Sequence, residues 1–198
     1  DRYKDQFVLN GNLNEIGEAI SENVADSHRA GIELAGAWKP CSMFRWDANV
    51  TLSQNQIKNY VAYLPDADWL KGIAQPARKH TTISFSPSVV ANNRFTFDYR
   101  GFTASLTSQY VGRQYLDNME VRENSLDAYF VSHLSAAYTF RLPSVKEVTI
   151  GATVYNLFNA KYETNGYSQS YVDGKGTVFH DPRFYPMAGT NFLVNVGF

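Results

Sequence analysis

The chain has 198 residues and a formal net charge of −1; 44% of it is hydrophobic and 15% aromatic, with 13 Tyr and 13 Phe. Mean hydropathy is nevertheless −0.34, and no run approaches the roughly 18 consecutive apolar residues of a membrane helix, which excludes a helical membrane protein. Lys and Arg are scattered and leave no basic face for nucleic acid, while the single Cys41 can form neither an internal disulfide nor a metal cluster. Asp1 to Gln6 lack the charged and apolar regions of a secretory signal, so a start upstream of Asp1 is expected.

The predicted elements are strands. The first, 3–9, is short, and the second, 19–38, is long. The third, 43–63, alternates Trp46, Ala48, Val50 and Leu52 with Asp47, Asn49, Thr51 and Ser53. Period-two alternation of this kind gives a strand two different solvents. The fourth, 77–91, sets Ile83, Phe85 and Val89 against Thr82, Ser84, Ser86 and Ser88. In the fifth, 95–112, Phe95, Phe97 and Tyr99 share odd positions, but beyond Gly101 the apolar set moves to Phe102, Ala104, Leu106 and Tyr110. A bulge at Arg100 and Gly101 is expected there to restore the facing. The sixth spans 126–142. The seventh, 148–162, places Val148, Ile150, Ala152 and Val154 opposite Thr149, Gly151 and Thr153, and the eighth, 188–198, puts Phe192, Val194, Val196 and Phe198 on one face.

Several of these runs exceed the ~5–6 residues usual in globular strands. A soluble sandwich also alternates, but here the polar face mixes Ser, Thr, Asn and Gly with Arg29, Glu33, Asp98 and His133, which suits a lumen better than a soluble surface. Connections point the same way. Short ones are expected at 39–42, 91–94 and 142–147, and longer ones at 10–18, 64–76, 113–125 and 166–186, the pattern of an outer-membrane barrel. Trp38, Trp46, Phe95, Phe140 and Phe198 fall near the short connections, and Tyr60, Tyr110 and Tyr162 toward the long ones, as two interfacial aromatic bands would. The expected fold is all-β: an antiparallel transmembrane β-barrel.

Three stretches then resemble a known family, the TonB-dependent outer-membrane receptors: 21–34 with its Arg-Ala-Gly-Ile-Glu-Leu strand, 154–167 with Asn156-Leu157-Phe158-Asn159 followed by Tyr162, and 185–198 ending on Phe198. The resemblance implies about eight C-terminal strands of a larger barrel of about 22 strands, with residues 1–198 as the C-terminal part of the barrel domain and the plug domain absent from this chain. It further implies residence in the outer membrane of a Gram-negative bacterium. The implied partners are outer-membrane lipid, the remainder of the barrel and its plug, a TonB-type energy-transducing protein, and a small-molecule or metal-chelate ligand such as an iron-siderophore, haem or cobalamin.

Candidate ligand contacts are Trp69, Arg113, Tyr115, Tyr167, Tyr171 and His180, because they lie in the expected long loops and offer stacking, a cation or an imidazole. Any one of them is more often a solvated or self-packed loop residue. Against the receptor stands a self-contained eight-stranded barrel with a structural or adhesive role, since eight strands can close. An enzyme is not expected: the four His residues and Asp47 and Asp98 form no nucleophile motif and no metal spacing. No cofactor is expected either.

Overall fold

The computed structural model describes residues 1–14, 16–66, 68, 72–142 and 145–198. Among them, strands account for nearly all regular structure: β1 (Arg2–Leu13), β2 (Ala19–Trp38), β3 (Phe44–Tyr60), β4 (Tyr63–Pro65), β5 (Gly72–Ala74), β6 (Arg78–Thr82), β7 (Val89–Tyr99), β8 (Phe102–Val111), β9 (Gln114–Tyr115), β10 (Ser125–Leu126), β11 (Tyr129–Leu142), β12 (Val145–Tyr155), β13 (Glu163–Val172), β14 (Val178–Pro186) and β15 (Asn191–Gly197). The one helical piece among the described residues is a 3-10 turn at Arg122–Asn124. Among the described residues no helix is long and apolar enough to cross a membrane, which leaves open crossing by strands.

The main sheet is an antiparallel meander in the order β1-β2-β3-β7-β8-β11-β12-β15, with β6 extending the pairing along β3. Among the described residues β1 pairs only with β2 and β15 only with β12. The eight strands are therefore an open section of wall and not the closed eight-stranded ring considered above. At 20 and 17 residues, β2 and β3 are far longer than strands of soluble domains.

The alternation is read out as expected in β2 and β3, but not over 77–91: strand structure stops at Thr82, and residues 83–88 are irregular, because Ile83 is drawn into a buried cluster and Phe85 takes a positive φ of 51°. Ile32 lies opposite Leu52, Leu34 opposite Val50 and Trp38 opposite Trp46, and Trp46 in turn pairs with Phe95, whose ring stacks on it at 5.9 Å. This face is apolar and open, with Ile32 and Leu34 64% and 61% exposed. In water such a face would be untenable; in lipid it is the stabilising one. On the other face Asn92 donates to Asn49 at 3.0 Å, and Arg45 and Asp47 form a bidentate pair.

Two expectations about connections are corrected. Residues 91–94 are not a turn: Asn92 and Asn93 sit inside β7, paired with both β3 and β8. The turn lies at Arg100-Gly101, where Tyr99 pairs with Phe102 and both intervening residues have positive φ (48° and 82°). That is the signature of a two-residue type I′ hairpin, whose twist matches that of the flanking strands. The expected bulge is thus a reversal of the chain, and the change of parity follows because Phe95, Phe97 and Tyr99 face Leu106, Ala104 and Phe102 across it. Likewise β1 runs on to Leu13, so the connection expected over 10–18 is a tight one, held by Asn14, whose side-chain oxygen accepts from the Ile16 and Glu18 amides.

The Asn156-Leu157-Phe158-Asn159 element is a clasp between β12 and β15. Asn156, 2% exposed and at φ 50°, donates to the carbonyls of Ala160 and Ala188 and accepts from the Ala160 amide, while its own amide donates to His133 Nδ1. Thr190 Oγ1 donates to the Asn156 carbonyl at 2.7 Å, and Asn159 accepts from the Thr190 amide. One buried asparagine thereby satisfies backbone groups of two segments about thirty residues apart and fixes where β15 begins.

Candidate functional site

At the end of the sheet away from the short turns, the connections fold inward as one packed body. Its core joins Val8, Val24 and Ile57 of the main strands to Leu64, Ile83, Met119 and Val172 of the loops. Ile57 is 1% exposed, and burying a side chain of this size contributes roughly 1.5–3 kcal/mol. Tyr60, expected in an interfacial aromatic band, instead turns inward and donates its hydroxyl to Glu22 at 2.6 Å. The apolar exit from β3 is the physical reason: beyond Asn59, at φ 51°, the chain bends and delivers Tyr60 to the loop core.

Polar groups lock the loops to one another. Asp117 accepts from the Met119 amide (2.9 Å) and from the Asn124 amide group (2.7 Å). Asn124 Nδ2 also lies 3.1 Å from both Ser170 Oγ and His180 Nδ1, which are 2.9 Å from each other. The segment holding Asp117 and Asn124 is thus fastened to the β13–β14 hairpin. Next to it, Asn118 accepts from the Ser84 amide and donates to the Leu9 carbonyl and to Glu22, while Glu120 accepts from the Thr82 amide. Burial raises the Asp117 carboxyl above its ordinary range, opposed by the bonds it accepts from Met119 and Asn124 and by the charges of His180 and Arg78.

A cavity of about 240 Å³ opens beside this network, bounded by Tyr60, Gln75, Arg78, Met119, Val178 and His180. It brings a phenol, an amide, a guanidinium and an imidazole around an apolar floor, the mixture that orients a small polar ligand.

Of the six residues expected to contact a ligand, His180 alone among those described lines this cavity. Trp69 lies outside the described residues. Arg113 braces the base of its own loop, donating to Asp127 at 2.9 Å and to Ser125 at 3.3 Å. Tyr115 pairs with Ser125, and its carbonyl accepts from the Phe85 amide. Tyr171 stacks on Phe179 at 5.4 Å and Tyr167 lies 6.2 Å from Tyr185, so both pack within their own hairpin. Tyr60, Gln75 and Arg78 were not anticipated. Tyr60 and Arg78 sit at strand ends with no pattern that marks them as converging.

A family model described as TonB dependent receptor-like, beta-barrel matches residues 1–157. The chain belongs to that family. No curated protein matches it. Among solved structures, TonB-dependent receptor barrels align along nearly all of its length: the siderophore receptor PiuA from Acinetobacter baumannii (16% identity, 98% of this chain and 24% of that one, TM-score 0.67) and the copper transporter OprC (18%, 98% and 27%, TM-score 0.63). The ferric yersiniabactin uptake receptor FyuA from Yersinia pestis aligns at 20% identity over 89% of this chain and 24% of that one, with a TM-score of 0.57. At such identities the likeness is one of fold. This TonB-dependent receptor chain spans about a quarter of the chains it matches, and its family and these neighbours are transport receptors of a fold that implies a Gram-negative outer membrane.

Proposed function

We propose that this chain is the C-terminal part of the barrel domain of an outer-membrane active-transport receptor, one that binds and imports a scarce nutrient of the iron-siderophore, haem or cobalamin type with TonB-transmitted energy. The observation that carries the reading is the loop package: a cavity with polar groups around an apolar floor, ordered by buried hydrogen bonds, seated over the inner face of a lipid-adapted wall in a chain of this family. A plug domain, the remaining strands and a TonB-type partner complete the receptor. The short turns face the periplasm and the package faces outward, where His180, Arg78 and Tyr60 meet cargo; Arg113, Tyr115, Tyr167 and Tyr171 shape the loops that present them.

The test is uptake by cells that carry the full-length receptor as their only route for one nutrient at a time. Arg78→Ala and His180→Ala are expected to weaken binding of the cognate ligand by about tenfold or more each, at unchanged surface level, and loss of TonB to abolish uptake while leaving binding intact. Uptake of every such nutrient unchanged by deletion of the receptor would sink the proposal.

A further inference from the structure

The outward face of the sheet carries a trench. Gly36 pairs with Ala48 and Ala48 with Asn93, so a row of smaller side chains crosses β2, β3 and β7; in β8 and β11 the same row continues as Ser108 and Ser132, which are buried and hydrogen-bonded to each other. The next row toward the short turns is large, with Trp38, Trp46, Phe95 and Leu106 in register, and the next row toward the loops carries Leu34, Val50 and Tyr110. Across β2 and β3 the trench widens to a groove of about 450 Å³ whose walls are Leu34, Trp38, Trp46 and Val50 and whose floor is Gly36 and Ala48. A Cβ placed on Gly36 would meet nothing within 4 Å.

The dimensions select the occupant. Residues 34 and 38 are four rises apart, about 14 Å, and their side chains fill part of that span. A helix, about 10–12 Å across with its side chains, does not seat in what remains, whereas a single polymethylene chain does. Charge adds a second constraint: Lys39 follows Trp38 directly into the short turn, is exposed, and has no acidic partner among the described residues. The Trp38–Trp46 pair beside it is the kind of aromatic pair that sits at the headgroup level of a bilayer, so a lipid phosphate is the anion its ammonium would meet.

We propose that this groove is a site for an anionic phospholipid of the short-turn leaflet, with one acyl chain lying over Gly36 and Ala48 between the tryptophans and Leu34 and Val50, and the lipid phosphate on the Lys39 ammonium. The site goes beyond the transport reading and needs only that the outward face meet lipid. It differs from ordinary annular contact in being retained when bulk lipid is stripped away.

The experiment is native mass spectrometry of the full-length receptor in mild detergent, titrated with phosphatidylglycerol. The unaltered receptor is expected to hold one phosphatidylglycerol. Gly36→Leu, and separately Ala48→Leu, fill the groove and should cut retention about tenfold or more, the loss expected from displacing two or more methylenes. Lys39→Glu, at an exposed position outside the strands, should cut retention about fivefold. Heat-dependent gel mobility reports that each variant is folded, independently of any transport assay. Retention that is absent in the unaltered receptor, or undiminished in all three variants, overturns the site. A Gly36→Cys receptor that crosslinks in membranes to a protein instead of a thiol-reactive lipid also overturns it, in favour of a protein partner.

Discussion

Below Leu52 on β3 the large apolar side chains point outward and the small polar ones inward, whereas at the top of the same strand Ile57 and Tyr60 point inward and build a core. One strand thus serves two environments in succession. In the lower region the stabilising contacts are backbone ladders and an apolar surface matched to lipid, and few side chains are buried by protein. The upper region has an interior of its own, with Asn118 and Asn124 each 0% exposed and Asp117 3% exposed. Changes to the wall should therefore act through backbone geometry and membrane fit, and changes to the package through unsatisfied polar groups.

That contrast can be broken in several ways. The largest effect is expected at the clasp between β12 and β15: Asn156→Ala removes three side-chain hydrogen bonds and a favoured left-handed position at once, and should lower the thermal stability of the full barrel by about 2–4 kcal/mol, seen as an earlier loss of heat-dependent gel mobility. Asn124→Ala should cost about 1–3 kcal/mol, confined to the package. Hydrogen exchange would rise in 112–128 and 163–186 and stay unchanged in β8 and β11, and exchange rising equally in those strands would refute the division. Gly101→Ala acts on the wall alone. Its Cβ would approach the Thr139 carbonyl oxygen to 2.5 Å at a positive φ, for a loss of about 1–2 kcal/mol.

The smallest effect is one of pH. Because burial raises the Asp117 carboxyl in the fold, the stability it lends is fully present below the unfolded value of about 3.9 and is lost as pH rises through the higher folded value. Protection of 112–128 should accordingly fall as pH climbs from about 4 toward neutrality, and Asp117→Asn should flatten that slope; a slope left unaltered by this substitution would assign it to other groups.

The wall was far more legible than the package. Alternation in Phe44–Tyr60 and the terminal Phe192, Val194 and Val196 translate directly into an outward face, because a membrane strand announces both of its solvents residue by residue. The 95–112 segment misleads for a definable reason. A two-residue hairpin separates paired residues by three positions and a bulge inserts one, and both move the apolar set from odd to even. Arg100-Gly101 lacks the Asn or Asp that usually marks such a hairpin, while Asn92-Asn93 carries the composition of a turn and lies in a strand held by the Asn92–Asn49 bond. In the package, His180 was reachable as an imidazole in a long loop. Asp117 and Asn124 were not, because their partners Ser170 and His180 are 46 and 56 residues from Asn124, and no periodicity encodes that distance.

The bond from Asn118 to the Leu9 carbonyl, spanning 109 residues, sets an order of events. Each strand of the wall can pair with the one just before it, at low loop-closure cost, whereas the package can close only once the first hairpin and the 112–128 segment are both in place. Assembly is expected to run strand by strand to a paired wall with its loops still open, and the cavity to form last, so a chain halted late in folding would hold every ladder of the wall and no cavity at all.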